Sequence, residues 1–483
     1  MQPDKWFKRI VAHAKEYGFV FPSSEIYEGV GGIYDYGPFG VELKNNLREY
    51  WWRFMVHYQP NVIGIDSAIF MHPKVWEASG HVDMFNDPMV DNLESKNRYR
   101  ADQLIEMKIE QLRKKKQNDR AEALQRALHQ AMRQQDMAML GHLIEEYEIA
   151  DPETGSRRWT PVRQFNLMFK SRVGSTQENS FDIYLRPETA QGIFVNFLNV
   201  QKTARQKVPF GVAQVGKAFR NEIVTRQFLF RMREFEQMEM QFFVRPGTEM
   251  EWFRYWKNKR LQWFLALGFS PERFRYHDHE NLAHYANAAS DIEYRFPIGF
   301  REVEGIHSRT DFDLQRHAQY SGKKITYYDP DLKESYTPYV VETSIGLDRL
   351  FFLTLSEAYY TEIIDGRPRV VLRLPAVLSP YKVAIFPLVR KDGLPEKAHE
   401  IFHQLRPHFN CFYEEKDSIG KRYRRQDAVG TPYCITIDHQ TLKDHTVTLR
   451  DRDSMQQERI EIPRLIDVVK SRISWANVLR KIG

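Results

Sequence analysis

Two segments with alternating side chains, residues 210–220 and 233–244, constrain the fold of this chain more than any other feature. Side chains on a β-strand point to opposite faces in turn, so each segment places every second residue on one surface. A short basic loop joins the two segments. We therefore expect them to pair as neighbouring antiparallel strands.

One surface of this strand pair would carry a cation, two carboxylates and an aromatic ring. Arg220 and Glu222 would share a face on the first strand, and Phe235, Gln237 and Glu239 would share a face on the second. Such a surface suits a nucleotide, because arginine binds phosphate, phenylalanine stacks on a base and glutamate accepts a hydrogen bond from an exocyclic amine. A charged surface hairpin with ordinary cross-strand pairs is the alternative explanation.

The rest of the sequence predicts at least two domains, since 483 residues exceed the size at which one hydrophobic core stops growing. Residues 40–58 predict one long helix that Pro60 ends, and residues 62–70 predict a strand. Residues 100–148 lack proline and carry apolar side chains at helical spacing. They predict a helical insertion, folded as a hairpin and closed by the turn at 151–155.

A second mixed pattern of helices and strands begins beyond a boundary near residues 369–380. Its predicted order is strand 382–388, a helix from about 394, a strand near 411–414, a helix near 418–428, strands 433–438 and 446–451, and a long terminal helix 463–481. This order is typical of a compact domain of ordinary size.

Composition excludes some classes of protein. No stretch reaches the ~18 uninterrupted apolar residues of a membrane span, so we expect a soluble protein. The net charge of +6 is compatible with nucleic acid but mild. Cys411 and Cys434 lie in apolar surroundings, which predicts buried free thiols in a reducing compartment. The amphipathic segment 6–17 has no apolar signal core, so we expect a location in the cytosol.

Two motifs place the alternating strands in a known context. Phe219-Arg-Asn-Glu222, with Arg231 and Phe235 downstream, resembles motif 2 of the class II aminoacyl-tRNA synthetases. Gly346-Leu-Asp-Arg349, at the start of the predicted helix over 350–360, resembles motif 3 of the same enzymes. Each motif is short, but their order and spacing together are specific.

The predicted helix 40–58 and strand 62–70 stand where motif 1 is expected, although the family's proline lies inside the strand and Pro60 precedes it here. Longer motifs resemble the glycyl branch of the family. They are Ser23-Ser-Glu-Ile-Tyr27, Gly32-Ile-Tyr-Asp-Tyr-Gly-Pro38, Leu185-Arg-Pro-Glu-Thr-Ala-Gln-Gly-Ile-Phe194, Arg309-Thr-Asp-Phe-Asp-Leu314 and Glu342-Thr-Ser-Ile-Gly-Leu-Asp-Arg349.

The resemblance runs from about residue 6 to the end of the chain and implies an α+β fold. Residues 1–372 would form the class II catalytic domain around an antiparallel sheet, with the helical insertion at about 91–160. Residues 373–483 would form the mixed α/β anticodon-binding domain that the glycyl, threonyl, prolyl and histidyl enzymes share. The family also implies a cytoplasmic homodimer.

The resemblance further implies a glycine–tRNA ligase that uses ATP. Glycine would attack the α-phosphorus of ATP to give glycyl-adenylate, and the 3′ end of tRNA(Gly) would then take the glycyl group. Arg220 and Arg349 would be the catalytic residues, and Glu302 would reach Mg²⁺, with Glu304 as a helper on the same strand face. The ATP site would comprise Arg220, Asn221, Glu222, Phe230, Arg231, Phe235, Glu302, Val303, Gly346 and Arg349.

Glycine has no side chain to bind, so its site can only hold the ammonium and carboxylate groups and fill the remaining space. The resemblance implies that Glu188, Glu239 and Glu342 converge on the ammonium group, with Ser344 close to the α-carbon. This chain has Thr343 where the family usually has proline. The implied glycine site is Arg100, Glu188, Phe235, Glu239, Glu342 and Ser344, although Arg100 also fits a solvated start to the insertion.

Two basic regions could contact tRNA. Residues 113–116 of the insertion could lean on the acceptor stem, or form an ordinary solvated helix face. Residues 421–425, with Arg450 and Arg452 on a nearby strand, are expected to contact the anticodon.

Three alternatives compete with this interpretation. A threonyl enzyme would need Cys and His zinc ligands, and prolyl and histidyl enzymes lack the Arg-Pro-Glu-Thr-Ala-Gln-Gly motif at 186–192. A non-catalytic synthetase-like subunit would lose the charged ATP ligands, which are present here. A generic basic nucleic-acid binder would leave the carboxylate-rich pocket without a purpose.

Overall fold

The computed structural model describes residues 3–174, 180–223, 228–280, 282, 286–364 and 366–482. The chain divides by its internal contacts into two compact units. The first unit comprises Met1–Ala68, Glu188–Ala218 and Gln227–Gly483, and the second comprises Ile69–Pro187 and Phe219–Arg226. No helix among the described residues has both the length and the apolar character needed to cross a membrane.

Helices in the described part of the chain are, in order, α1 (Pro3–Glu16), α2 (Pro38–Trp52), α3 (Lys74–Ala78), α4 (His81–Met84), α5 (Ala101–Lys114), α6 (Asn118–Gln134), α7 (Met137–Glu146), α8 (Ala190–Val195), α9 (Phe197–Thr203), α10 (Glu249–Ala266), α11 (Phe312–Ser321), α12 (Leu347–Ala358), α13 (Leu394–Leu405), α14 (Ile419–Val429), α15 (Thr441–Asp444), α16 (Leu465–Arg472) and α17 (Trp475–Leu479).

Strands in the same described part are β1 (Val20–Pro22), β2 (Tyr34–Tyr36), β3 (Val62–Gly64), β4 (Asn86–Asp91), β5 (Arg98–Arg100), β6 (Arg163–Asn166), β7 (Lys170–Val173), β8 (Phe181–Tyr184), β9 (Phe210–Phe219), β10 (Glu234–Val244), β11 (Phe274–Asp278), β12 (Ala288–Phe296), β13 (Gly299–Thr310), β14 (Tyr327–Asp329), β15 (Glu334–Tyr336), β16 (Tyr339–Gly346), β17 (Tyr359–Ile364), β18 (Arg367–Leu372), β19 (Val383–Pro387), β20 (Cys411–Tyr413), β21 (Tyr433–Ile437), β22 (Thr446–Asp451) and β23 (Gln457–Glu461).

A seven-stranded sheet forms the centre of the first unit, with the order β11-β12-β13-β16-β10-β9-β3. From β11 to β10 each neighbouring pair is antiparallel, and the edge strand β3 pairs in parallel with β9. The predicted neighbouring strands 210–220 and 233–244 correspond to β9 and β10, which are adjacent in the sheet. The alternating pattern therefore located two neighbouring strands of this sheet, on the side that ends at β3.

The two faces of the sheet differ because side chains alternate along each strand. On β10, Met238, Met240, Phe242 and Val244 are fully buried in the main hydrophobic core, which also contains Trp256 of α10. Each such side chain contributes about 1.5–3 kcal/mol through burial. The intervening residues of β10 point to the opposite face, which carries most of the polar side chains described below.

In the motif 1 region the predicted helix is confirmed, but the predicted strand is wrong. Helix α2 continues as a π-helical turn over Arg53–Tyr58, so the helical segment ends where Pro60 predicted. The strand, predicted over 62–70, contains only Val62–Gly64. It is short because the chain leaves the edge of the sheet, and Phe70 pairs instead with Leu185 in the second unit.

The second unit contains the helical insertion, which has three helices rather than the predicted hairpin. Helices α5, α6 and α7 pack through Leu104, Leu128 and Leu140, which are buried in one cluster. The break before α7 follows Gln135, which has a positive φ of 51°. Asp136 then caps α7 by accepting a 2.9 Å hydrogen bond from the Met139 amide.

The remaining part of the second unit is β-structure. Strands β5, β4 and β6 form a three-stranded sheet, and β7 pairs with β8. The predicted turn at 151–155 is present, because the Asp151 carboxylate accepts hydrogen bonds from the amides of Glu153 and Thr154. The insertion is thus closed by local side-chain capping of a turn.

The C-terminal part of the first unit contains a five-stranded sheet with the order β20-β19-β21-β22-β23. The helices and strands predicted between residues 382 and 451 are confirmed and correspond to β19, α13, β20, α14, β21 and β22. The predicted terminal helix 463–481 is wrong, because α16 ends at Arg472 and Ser474 adopts extended backbone before α17. Strand β23, Gln457–Glu461, was not predicted, since four of its five residues are exposed and polar.

The first unit joins residues that are very distant in sequence. Ile10 and Ile482 are both 1% exposed and belong to the same hydrophobic core. The His13 side chain of α1 makes a 2.8 Å hydrogen bond with the Ala428 carbonyl. Burial lowers the pKa of His13 to about 4, so this imidazole is neutral near pH 7.

Candidate active site

Two rows of side chains line the polar face of the central sheet. In one row, Glu239 of β10 lies opposite Ser344 of β16, which lies opposite Gly305 of β13. In the next row, Glu342 of β16 lies opposite His307 of β13. Because residues two apart on a strand share a face, these five residues lie on one surface.

Glu239 is buried, and neutral donors surround its carboxylate. Ser344 Oγ donates to Oε1 over 2.7 Å, and Gln237 Nε2 donates to the same oxygen over 3.2 Å. Thr189, at the start of α8, donates its hydroxyl to Oε2. These partners satisfy the carboxylate without neutralising its charge.

Burial and the nearby charges of Glu342 and Glu188 raise the pKa of Glu239. Glu342 has the opposite shift: burial alone would raise its pKa, but the charge of Arg309 and the hydrogen bond with His307 lower the pKa overall. The surface therefore holds one ionised carboxylate and one that is protonated more readily.

Glu342 is bound from several sides. Arg309 Nη1 lies 3.2 Å from both of its oxygens, His307 Nδ1 lies 2.8 Å from Oε2, and Gln241 Nε2 donates to Oε1 over 2.7 Å. The same carboxylate in turn raises the pKa of His307 above its usual value, against the opposing effect of burial.

Glu188 is the third carboxylate of the predicted glycine site, and a second layer of buried polar side chains supports it. Gln191 of α8 donates one hydrogen bond of 2.9 Å to Glu188 and another of 3.0 Å to Asp313 of α11. Asp313 also binds Arg309 through two contacts, of 2.9 and 3.1 Å. The sequence motifs quoted above contain Thr189, Gln191, Arg309 and Asp313 without indicating a role for them, and His307 lies outside those motifs.

Arg349 lies at another part of the first unit, in the first turn of α12. Its guanidinium is 3.0 Å from the Glu302 carboxylate and stacks over the Phe230 ring at 4.7 Å. Gly346 precedes this helix, and its neighbour across the sheet is Gln237. Glu302, Phe230, Gly346 and Arg349, all predicted ATP ligands, therefore belong to the same unit.

Asp348 fixes the start of α12. Its carboxylate accepts hydrogen bonds from Tyr36, from Lys44 of α2 over 3.2 Å, and from the backbone amide of Glu236 over 2.7 Å. These contacts tie the motif 3 helix to the motif 1 helix and to β10. The neighbouring Arg349 is thus held on a rigid helix end.

The remaining predicted ligands in this unit differ in accessibility. Val303 is 1% exposed within the core, so a contact with a nucleotide would have to use its backbone. Phe235 is half-buried on β10 and packs against the core, and Arg231 is half-buried in the bend after the Phe228–Phe230 turn. These positions are compatible with the predicted stacking and phosphate contacts.

Glu304 corrects one prediction, because it does not share a strand face with Glu302. A β-bulge opposite Ile292 and Glu293 separates the two residues in register. Glu304 is fully buried and pairs with Arg260 of α10 over 2.5 Å, within the core. It therefore has a structural role.

Arg220, Asn221, Glu222 and Arg100 belong to the second unit. Arg220 and Glu222 were predicted to share a strand face, but β9 ends at Phe219. Arg220 donates a 3.1 Å hydrogen bond to the Pro187 carbonyl, and the Asn221 backbone amide donates one of 2.7 Å to the Leu167 carbonyl. This turn ends the strand and explains the wrong prediction.

Arg100 is not a solvated helix start. It pairs with Asp87 over 3.0 Å and with Asp102 over 2.6 Å. Burial lowers its pKa, but Asp102, Asp87 and the charge of Glu222 raise the pKa overall. Arg100 and Glu222 therefore influence each other within the second unit.

Family models match most of the chain. The tRNA synthetase class II core domain (G, H, P, S and T) matches residues 169–358, and the anticodon binding domain matches residues 382–472. The glycyl-tRNA synthetase insertion domain 1 matches residues 87–123 and 115–167.

Curated relatives match nearly the full length. Glycine–tRNA ligase from Chlorobaculum tepidum is 50% identical over 467 residues, which cover 96% of this chain and 99% of the relative. The same ligase from Geobacillus kaustophilus is 50% identical over 471 residues, covering 97% and 99%. The chain belongs to the glycyl-tRNA synthetase family.

A solved structure supports the fold of this glycyl-tRNA synthetase family member. The structure is described as the RNA-binding domain of threonyl-tRNA synthetase from Cryptosporidium parvum. It aligns with a TM-score of 0.61 at 17% identity, over 95% of this chain and 96% of the other. The α+β fold, with a class II core, a helical insertion and a C-terminal anticodon-binding domain, is therefore confirmed.

The prediction of a C-terminal basic contact surface at 421–425, 450 and 452 is wrong for three of its arginines. Arg422, Arg450 and Arg452 are between 1% and 6% exposed, so they cannot form a contact surface. Arg422 donates to the Pro387 carbonyl over 2.7 Å, and Arg450 pairs with Asp427 over 2.8 Å. These arginines stabilise the interior of the family's anticodon-binding domain.

Both predicted basic regions keep exposed cations. In the C-terminal cluster Lys421 and Arg424 are exposed, while Arg425 pairs with Glu414 and Asp417. In the insertion, residues 113–116 at the end of α5 are all exposed. Either place could meet a polyanion.

Cys411 and Cys434 are buried free thiols, as predicted. Burial raises the pKa of both thiols to about 12, which keeps them unreactive near neutral pH. No group of three His, Cys, Asp or Glu side chains in the described ranges could hold a metal ion. Glu302 is a single carboxylate that is 48% exposed, which suits an ion held mostly by substrate phosphates.

Proposed function

We propose that this chain is a glycine–tRNA ligase, which activates glycine with ATP and transfers it to the 3′ end of tRNA(Gly). The observation that carries the proposal is the pair of buried carboxylates, Glu239 and Glu342, on the polar sheet face, with the half-buried carboxylate of Glu188 from the segment before α8 close enough to raise the pKa of Glu239. Glu342 already has Arg309 as a cationic partner, whereas the donors to Glu239 are neutral, and a buried carboxylate with neutral donors is costly unless a cation completes its site. By analogy with the family, the glycine ammonium group would be that cation.

Glycine selectivity would come from this cluster and Ser344. The three carboxylates would bind the ammonium group, and Ser344, held by Glu239, would lie close to the α-carbon. Losing a methylene in a roomy pocket discriminates by only ~1–3 kcal/mol, so a rigid polar wall is needed to reject larger amino acids. The hydrogen-bonded second layer behind Glu188 and Glu342 supplies that rigidity.

ATP would bind through residues of motifs 2 and 3. Arg220 would hold the α-phosphate and the glycine carboxylate, while Arg231 and Arg349 would hold the outer phosphates. Phe235 would stack on adenine, and Glu222 would accept a hydrogen bond from its amino group.

The remaining ATP contacts would come from Asn221, Phe230, Gly346 and the backbone of Val303, and Arg100 would face the glycine. Glu302 would hold Mg²⁺, which neutralises phosphate charge when bound. The protein supplies no strong base in this scheme. It accelerates adenylate formation by in-line positioning and charge neutralisation.

The finer assignments follow from the same family. We propose a catalytic domain over 1–372 with its insertion at about 91–160, and an anticodon-binding domain over 373–483. This boundary falls between β18 and β19. We also propose a homodimer in the cytoplasm that charges tRNA(Gly) through contacts with both the acceptor stem and the anticodon.

Amino-acid-dependent ATP–pyrophosphate exchange tests the activation step directly. The purified protein should exchange with glycine and with none of the other proteinogenic amino acids tested separately. Exchange with a different amino acid would keep the class II chemistry and overturn the glycine assignment. If folded protein with Mg²⁺ exchanges with none, even after tRNA is added, the enzymatic proposal fails.

A further inference from the structure

His307 lies beside the carboxylate cluster but belongs to none of the predicted sites. Its side chain is 28% exposed, and its Nδ1 lies 2.8 Å from Glu342 Oε2. Because the pKa of Glu342 is lowered, this carboxylate is ionised and accepts the hydrogen bond from the imidazole. Arg309 holds the same carboxylate at longer distances, of 3.2 Å.

The His307 ring also covers bare backbone at Gly305. Gly305 lies directly opposite Ser344 across the sheet. A Cβ atom at Gly305 would lie 2.6 Å from Cε1 of the His307 ring, which is closer than atoms can approach. The ring therefore leans over Gly305 and occupies the space next to Ser344.

We propose that His307 is a positioning and specificity-determining residue for the amino acid. Its Nδ1–H holds Glu342 in place for the ammonium group. Its ring fills the space over Gly305, so that an amino acid with a side chain meets the imidazole as well as Ser344. This inference rests on the proposed function, since it assigns a role within the glycine site.

The two roles depend on different atoms of the same side chain, so they can be separated. Asparagine places an amide nitrogen near the position of Nδ1 but lacks the far side of the ring. Phenylalanine keeps a ring of similar shape but has no donor. If both roles exist, the two variants should fail in different assays.

The test measures ATP–pyrophosphate exchange for the wild type, His307→Asn and His307→Phe, with glycine and with alanine. His307→Phe should raise the KM for glycine about tenfold and leave the KM for ATP unchanged, because a hydrogen bond to an ionised group is lost. His307→Asn should keep the KM for glycine near that of the wild type. Its preference for glycine over alanine should fall about tenfold.

His408→Asn is the matched control, because this exposed histidine lies in the C-terminal part of the first unit and should change neither quantity. An unchanged glycine KM in His307→Phe would overturn the positioning role. Full discrimination against alanine in His307→Asn would overturn the specificity role. A wild type that never activates glycine would refute the proposed function itself, which is a separate result.

Discussion

Two buried carboxylates with identical chemistry, Glu342 and Glu239, have pKa values shifted in opposite directions on this sheet face. Glu342 has Arg309, His307 and Gln241 as donors, whereas the donors to Glu239 among the described residues are hydroxyl and amide groups. Charge partners keep the first group ionised, while burial and neighbouring carboxylates favour the protonated form of the second. Glycine binding would therefore act mainly on the proton of Glu239.

This difference predicts a pH dependence. An ammonium ion binds the ionised form of Glu239, so below its raised pKa a proton must leave before glycine binds tightly. We expect the KM for glycine to fall as the pH rises from about 6 to about 8.5, as measured by pyrophosphate exchange. Glu239→Gln should raise this KM and flatten its pH dependence. An identical slope in both proteins would contradict the assignment, and Glu251→Gln, at an exposed site on α10, is the control.

Arg349 offers a test of the ATP site at the scale of one residue. Arg349→Ala should lower the rate of glycine-dependent exchange by about 100-fold or more, because a positioned cation at the phosphates is lost. The fold should survive, since this guanidinium is 30% exposed and contacts Glu302 and Phe230 rather than the core. Thermal unfolding of the variant provides the control. Normal exchange would refute the motif 3 assignment.

At the scale of elements, a buried ion pair joins helix α10 to strand β13. Arg260 and Glu304 have side chains with 0% exposure, and Arg260 also stacks on Trp263 at 4.3 Å. One nitrogen of Arg260 and one oxygen of Glu304 have no hydrogen-bond partner among the described residues. Such pairs contribute little net stability, but breaking one leaves an uncompensated buried charge.

We therefore predict opposite results for single and double substitutions. Arg260→Met should lower the free energy of unfolding by about 3–5 kcal/mol, because Glu304 stays buried without its partner. Combining Arg260→Met with Glu304→Leu should recover most of that loss. Urea unfolding measures both values. A single substitution that costs less than about 1 kcal/mol would show that the pair is not desolvated as described.

Elements with a strong alternating or helical pattern were predictable from the sequence, and their ends were not. The alternation of side chains along the sequence located β9 and β10. It wrongly extended the first strand face to Glu222, because the hydrogen bonds that Arg220 and Asn221 make with other segments have no local sequence signal. The break between α6 and α7 had a signal at Asp136, a good capping residue, that the helical spacing concealed. Strand β23 lacks β-branched residues apart from Ile460 and could not be recognised.

The candidate site was predictable in the same uneven way. Charged residues in motifs with a family precedent, such as Glu342 and Arg349, were named from the sequence alone. The second layer was not, because Gln191, His307 and Asp313 have no distinctive spacing and meet only when α8, β13 and α11 pack together. Tertiary contact, rather than local pattern, creates that layer.

For the whole molecule, net positive charge is a poor guide to the tRNA surface. Arg422, Arg450 and Arg452 bind interior groups. They count toward the net charge of +6, but a nucleic acid cannot contact them. The exposed run 113–116 is different, although Arg113 donates a 2.6 Å hydrogen bond to Gln125. The three lysines that follow it are the better candidates for phosphate contacts.

Reversing the charges of Lys114, Lys115 and Lys116 to glutamate tests this surface. The KM for tRNA in aminoacylation should rise, by about tenfold at low salt, and the salt dependence should weaken, because contacts with phosphates are lost. Glycine-dependent pyrophosphate exchange, which needs no tRNA, should not change and serves as the internal control. Unchanged charging kinetics would remove the insertion from the tRNA interface.

The core that joins Ile10 to Ile482 has a consequence during protein synthesis. Residues 10–14 leave the ribosome more than 400 residues before the Ala428 carbonyl and the Ile482 side chain with which they pack. The second unit, which is almost continuous over 69–187, can fold as soon as it emerges. The nascent chain would thus carry a folded insertion while the apolar segments before it are still without the residues that bury them. We expect chaperones to bind at those segments.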